Sequence, residues 1–252
     1  MKKYFFISLG IVLALFLAFG LEVSKQRDTD KKIIMGVSLD YPPFEFVKNG
    51  LPVGYSIDLA NLIAKRLGVE LEIKDMDFNS LIPALNSNQV DFIISSMSAT
   101  EERKRSVDFT IPYYKSEAKI IIKKSEQDKG IDFNKMRIGV QMGSTMENYL
   151  KEKRKDSAPD VRILSISRIP QLIEELKIGR IDAVIVDADN ADRIVKENGS
   201  FTTKLVEDFN GSNSVVLPKN SPKLEKFNEI IKALEAEGQL SLLKRKWVNG
   251  QQ

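Results

Sequence analysis

The 252-residue chain contains no cysteine and no histidine. Together the two absences remove thiol nucleophiles, histidine general bases, the Ser-His-Asp triad and Cys/His zinc sites. The Asp-x-Asp-x-Asp-Gly spacing of a calcium loop is missing as well, so neither a metal nor any other cofactor is expected. A chain without stray thiols also suits an oxidising compartment. There is no strong charge imbalance either: 38 Lys and Arg against 35 Asp and Glu leave a formal charge of +3, with the two signs interleaved. The short basic runs at 153–155 and 244–246 read as solvated helix surface, so no nucleic acid is expected as a partner.

Long hydrophobic runs are also scarce, with one exception. MKKY supplies two positive charges, FFISLGIVLALFLAFGL follows without any, and Glu22 ends the run. A basic start before an apolar stretch is the pattern of a secretory signal. Ala18-Phe19-Gly20 offers small residues for cleavage after Gly20. Residues 1–24 therefore read as a signal peptide, with an uncleaved anchor as the alternative, and the rest of the chain is expected outside the cytoplasm. No Cys follows the signal, which excludes a lipid-anchored lipoprotein.

What is present is α/β grammar. IIMGVS (33–38) reads as a strand and Asp40-Tyr41-Pro42-Pro43 as a turn. Ser56 is expected to cap a helix to Leu67, with Gly68 just past its end. VELEIKDM alternates as a half-buried strand, and SLIPALNSN reads as a helix that tolerates Pro83 near its first turn. VDFIIS (90–95) is a continuous apolar run of the kind found in covered parallel sheets. After a polar stretch, KSEQDKGIDFNK, the pattern restarts. RIGVQ (137–141), VRILSI and IDAVIVD (181–187) are strands, Gly143-Ser144-Thr145 opens a helix to about Lys153, and IPQLIEELKIG is a helix ending at Gly179. Two closing helices are expected in SPKLEKFNEIIKALEAEG and QLSLLKRKWV. Two α/β units joined in this way suggest two lobes.

In α/β sheets ligands sit at the carboxyl ends of strands, where helix N-termini direct free N–H groups. Tyr41, the serines from Ser95 to Ser98, Ser144 with Thr145, and Asp187 all occupy such places. In SSMSATEERKR, Thr100 is a good N-cap and Arg103 falls in the first helical turn. Hydroxyls, free N–H groups and one bidentate guanidinium make a receptor for a carboxylate. Arg103 could instead belong to a solvated EERKR face, and Asp187 could simply cap the next helix. As a site residue, Asp187 would pair with an ammonium group. Tyr41 and Phe78 could pack against the remainder of a small ligand. A carboxylate, an ammonium group and a side chain held by aromatics describe an α-amino acid.

Taken in order, YPPFEF, GYSIDLANLIAKRLG, DFNSLIPAL, VDFIISSMSATEERKRSVDFTIPYY, IGVQMGST, GRIDAVIVD and the terminal LLKRKW resemble the periplasmic solute-binding proteins of polar amino acid ABC transporters. The resemblance spans residues 33 to 250. It implies an α/β, two-lobed periplasmic-binding-protein-like fold of type II, with crossover segments at KIIIKK (119–124) and SNSVVLP (212–218) acting as a hinge. Residues 25–121 with 215–252 would form lobe 1, and 122–214 lobe 2. By the same resemblance Arg103 grips the ligand's α-carboxylate with Ser98 and the N–H of Thr145. Ser96 offers its carbonyl to the α-ammonium, Asp187 is the ionic partner from the second lobe, and Tyr41 and Phe78 flank the side chain.

The resemblance implies a non-catalytic component of an amino acid importer, probing the periplasm as a monomer and delivering to an inner-membrane permease with its ATPase. Two departures bear on the ligand. Family members that bind cationic amino acids or glutamine often carry an acid three residues before the Tyr41 position, where Ser38 stands here, with Asp40 displaced by two. Glutamine binders can have a basic residue where Gln141 stands. Ser38, Asp40 and Gln141 are polar, so a polar amino acid is expected, glutamine or a cationic one. The alternatives from other classes are a dehydratase-like enzyme on the same fold, with Asp40, Asp187 or a Glu as acid or base, and a ligand-sensing module.

Overall fold

The computed structural model describes residues 32–250, so the signal sequence expected over 1–24 lies outside the described residues. Lys32–Val37 (β1) pairs in parallel with Glu70–Asp75 (β5), from Lys32↔Glu70 to Val37↔Asp75. On its other side it pairs with Phe92–Ile93 (β6). Alternate residues of β1 serve opposite faces. Ile33, Met35 and Val37 join the core of helix Tyr55–Leu67 (α1). Gly36 lies against Leu81 and Val90, on the side of the short helix Leu81–Asn86 (α2). Burial on both faces is what a continuous apolar strand requires.

A second half repeats the plan. Arg137–Gln141 (β8) lies between Arg162–Ile166 (β9) and Ala183–Asp187 (β10), in parallel with both. Helices Thr145–Asp156 (α4), Ile169–Lys177 (α5) and Ala188–Glu197 (α6) follow these three strands. A Cβ on Gly139 would stand 2.6 Å from Ile181 and 2.8 Å from Leu172. Only glycine lets α5 pack that closely on β8.

Two long antiparallel strands, Val107–Lys123 (β7) and Phe201–Pro218 (β11), run through both halves. The main sheet has the order β5-β1-β6-β11-β7-β10-β8-β9. β11 meets β6 at Val216, and β7 meets β10 from Ala118 to Ile122. Between those points no named strand among the described residues flanks the β7–β11 ribbon; its ladder is interrupted by register shifts at Leu205/Asn210, Asn213/Ser214 and Ser214/Val216, and beside it lies a single bridge from Asn213 to Ser98. The closing helices, Leu224–Ala236 (α7) and Gln239–Trp247 (α8), return to the first half. Phe227 packs edge-on against Phe92, and the Trp247 indole N–H donates to Asp58 at 2.7 Å.

Three expectations need correction. Asp40–Tyr41 (β2) is not a free turn: it pairs with Glu45–Lys48 (β3), which pairs in turn with Leu51–Val53 (β4). Helix α1 starts at Tyr55 behind Gly54, with no side-chain cap, and Ser56 is wholly buried. The first N–H groups of α1, from Tyr55 and Ser56, donate instead to the carbonyls of Pro43 and Phe44, so a hydroxyl cap is not needed. The VDFIIS run contributes only Phe92–Ile93 to the ladder. Past Ile93 the backbone turns away, and the Ser95 hydroxyl takes the Ser38 N–H at 3.0 Å.

Candidate functional site

The strand ends of the two halves face each other across one cleft. Its walls contain all ten residues singled out from the sequence: Ser38, Asp40, Tyr41, Phe78, Ser96, Ser98, Arg103, Gln141, Thr145 and Asp187. Ser95 and Ser144, which the sequence also places at strand ends, line it too, while Glu45 and Met146 were missed. A signal for Ser144 was legible, since Ser144-x-x-Glu147 is a capping-box spacing. Ser144 Oγ accepts from the Glu147 N–H at 3.1 Å, and Glu147 accepts from the Gly143 N–H at 2.6 Å. Glu45 was hidden between two aromatics in FEF; it opens β3 directly after the turn residue Phe44, and both are buried.

Arg103 is placed by the four-residue helix Glu101–Lys104 (α3), whose N-cap Thr100 accepts from the Arg103 N–H at 3.2 Å. The side chain turns away from the solvated EERKR face. One guanidinium nitrogen donates to the Ser98 carbonyl at 2.7 Å, and the other reaches the opposite half at the Gly143 carbonyl, 2.8 Å away. The guanidinium carbon lies 5.5 Å from the centre of the Phe78 ring. Burial lowers its pKa to about 10, and no salt bridge joins it to a carboxylate among the described residues. It is a cation held ready by carbonyls and a ring face.

Asp187 ends β10 at the N-cap position of α6, yet its side chain makes no capping bond. The carboxyl accepts from the Ser116 hydroxyl at 3.0 Å, while the Asp187 N–H donates to the Tyr41 hydroxyl at 2.8 Å. Burial raises its pKa to about 7, and the hydroxyls of Ser116 and Tyr41 offset only part of that effect. The Tyr41 phenol is pushed up as well, by burial and then by the Asp187 charge.

Ser38, Asp40 and Gln141 form a cluster of their own. Ser38 Oγ donates to Asp40 Oδ1 at 2.8 Å, and Gln141 Nε2 donates to Asp40 Oδ2 at 3.3 Å and to the Ser167 carbonyl at 3.1 Å. The Asp40 pKa is raised by burial against the pull of the Ile169 N–H, Ser38 and Arg168. Glu45 is only 1% exposed. Burial lifts its pKa well above the ordinary value, against the pull of the Ser56 and Ser96 hydroxyls, with the Asp40 and Asp187 charges adding to the shift. Among the lining residues, three buried carboxyls thus face a single guanidinium.

Residues 33–250 match the bacterial extracellular solute-binding proteins, family 3. The chain belongs to that family. It is 37% identical over 261 residues to the arginine-binding extracellular protein ArtP of Bacillus subtilis (strain 168), with 100% of both chains covered. It is 35% identical over 224 residues to the ABC transporter arginine-binding protein 1 of Escherichia coli (strain K12), covering 86% of this chain and 90% of that one. A crystal structure of the substrate binding protein of an amino acid ABC transporter aligns with a TM-score of 0.79 at 38% identity, over 87% of this chain and 100% of that one. The fold is the two-lobed α/β architecture of the type II binding proteins, and this family member is a solute-binding protein rather than an enzyme.

Proposed function

We propose that this solute-binding protein captures a cationic L-amino acid, L-arginine foremost, between its lobes and presents it to an inner-membrane permease driven by an ATPase. The observation that carries the reading is the pairing of carboxyls in the cleft: Asp40 and Asp187 against Arg103 alone among the ionised groups that can meet a ligand. Arg103 and Asp187 match the carboxylate and ammonium of any amino acid. Asp40, in the cluster with Ser38 and Gln141, is then left over and favours a second positive group over a neutral amide. The names of the relatives, which bind arginine, support the same choice.

In this reading Arg103 grips the α-carboxylate with Ser98 and the Thr145 N–H. Asp187 and the Ser96 carbonyl take the ammonium. Tyr41 and Phe78 flank the side chain, and Ser38, Asp40 and Gln141 meet its far end. The ribbon of β7 and β11 is the hinge, because between its pairings with β6 and β10 it carries only the single bridge from Asn213 to Ser98. Ligand contacts made with both lobes favour the closed arrangement; such hinge closure in periplasmic binding proteins is a standard example. The basic-then-apolar start of the chain would send it to the periplasm, where it works as a monomer.

Isothermal titration against the twenty amino acids, after unfolding and refolding to strip any bound solute, tests the proposal. L-arginine binds tightest and L-lysine next. Tighter binding of glutamine would overturn the cationic assignment, and binding of no amino acid would overturn the whole reading.

A further inference from the structure

Ser96 is strained. Its φ of 47° lies in the left-handed region, which a residue with a Cβ rarely adopts. Its neighbours are tied down on either side. The Ser95 hydroxyl accepts from the Ser38 N–H, and the Met97 carbonyl accepts from the Ser214 N–H at 3.0 Å. The Ser96 side chain has a separate tie: its hydroxyl donates to Glu45 Oε2 at 3.3 Å. Glu45 is delivered there by the small sheet, through the pairing of Tyr41 with Glu45 in β2 and β3.

A wholly buried carboxyl with no cationic partner in contact among the described residues is an expensive group to keep in a cleft wall. An apolar side chain of the same size would pack there at lower cost. The geometry gives the carboxyl a task. Strained backbone persists where surrounding contacts over-determine it, and such places cluster at ligand clamps. We infer that Glu45 is a positioning residue, pinning the Ser96 hydroxyl and so holding the strained Ser96 backbone as the acceptor for the ligand's ammonium group. The inference rests on the amino acid reading above, although not on arginine in particular.

Calorimetry with Glu45→Ala, Ser96→Ala and the double variant tests it, with L-arginine and with 5-guanidinopentanoate, the same molecule without its amino group. Each single variant should weaken L-arginine binding about tenfold, and the double variant should lose no more than either alone. The loss should fall on L-arginine, so that discrimination against 5-guanidinopentanoate narrows. Glu45→Gln, which still accepts from the Ser96 hydroxyl, should recover most of the affinity. Additive losses, or equal losses on both ligands, would overturn the inference. Failure of Glu45→Gln to rescue would replace positioning by a direct ion pair. Should Glu45→Ala not fold, the Ser96→Ala and Glu45→Gln arms decide alone. If the wild type prefers another amino acid, the arginine assignment falls, and the same variants are read with that amino acid and its deaminated analogue.

Discussion

Asp40 Oδ2 accepts a hydrogen bond from the backbone N–H of Ile169 at 2.9 Å, although the two residues are 129 positions apart. Ile169 opens helix α5 in the second lobe, and its own N-cap residue, Arg168, makes no side-chain capping bond. The cap comes from the other lobe. Arg168 reaches back over the same gap to Asp75 at 2.9 Å and Asp77 at 2.7 Å. Asp40 and Arg168 together tie the mouth of the cleft with contacts that exist only when the lobes meet.

Removing the Asp40 carboxyl should therefore weaken closure while leaving each lobe folded. Loss of a cap costs about 1 kcal/mol, which corresponds to roughly fivefold weaker ligand binding. Asp40→Asn keeps an acceptor for the Ile169 N–H and should lose less than Asp40→Ala. Titration calorimetry gives the affinities. Small-angle scattering of the ligand-bound protein should show Asp40→Ala as the more open of the two.

Arg103→Ala should be the most damaging single change for binding. It leaves the ligand carboxylate buried against the Ser98 and Gly143 carbonyls, which were the partners of the guanidinium. Breaking a buried pair from one side costs roughly 3 kcal/mol or more, a loss above about 100-fold. Unchanged calorimetric affinity in Arg103→Ala would show that the carboxylate lies elsewhere.

Much of the cleft was legible because its residues follow strands. Runs such as RIGVQ and IDAVIVD announce themselves by composition, and their ends then point to Ser144, Thr145 and Asp187. Glu45 was not legible, because alternation in FEF suggests a polar residue facing water, and only the pairing of β2 with β3 turns it inward. The Ser56 cap was misread for a related reason. A local rule supplied a hydroxyl where distant carbonyls, those of Pro43 and Phe44, already met the helix N–H groups. The shortness of β6 depends likewise on a side chain, Ser95, taking over a backbone bond. Each miss lies where a tertiary contact replaced a local one.

Gly54 should tolerate no side chain. Its φ is 130°, and a Cβ there would stand 2.1 Å from the Phe44 carbonyl oxygen. That carbonyl also accepts the Ser56 N–H, so backbone would have to move. Gly54→Ala should cost roughly 3 kcal/mol, lowering the Tm by roughly 6–12 °C in a protein of this size. Because Phe44 adjoins Glu45, the folded fraction should also bind L-arginine more weakly. A thermal melt with and without ligand reads both effects.

Asp187 should make folding and binding respond to pH in opposite directions. Its pKa is about 7 in the folded protein against an ordinary 3.8, because burial disfavours the charge beyond what Ser116 and Tyr41 restore, and Asp189 nearby adds to the shift. The folded state thus holds this proton more tightly than the unfolded chain. The group's contribution to stability therefore falls as pH rises from about 4 to about 7. The ligand's ammonium needs the ionised carboxylate, so affinity should rise across the same window, by roughly tenfold per pH unit below the pKa for one linked proton. Asp187→Asn should bind weakly at every pH. It should remove one proton's slope from the affinity profile and flatten the ligand-free stability profile, leaving the part that belongs to Asp40 and Glu45. Calorimetry and melts between pH 5 and pH 8, run side by side, would separate the two trends. An affinity profile in Asp187→Asn as steep as that of the wild type would assign the ammonium to a different carboxyl.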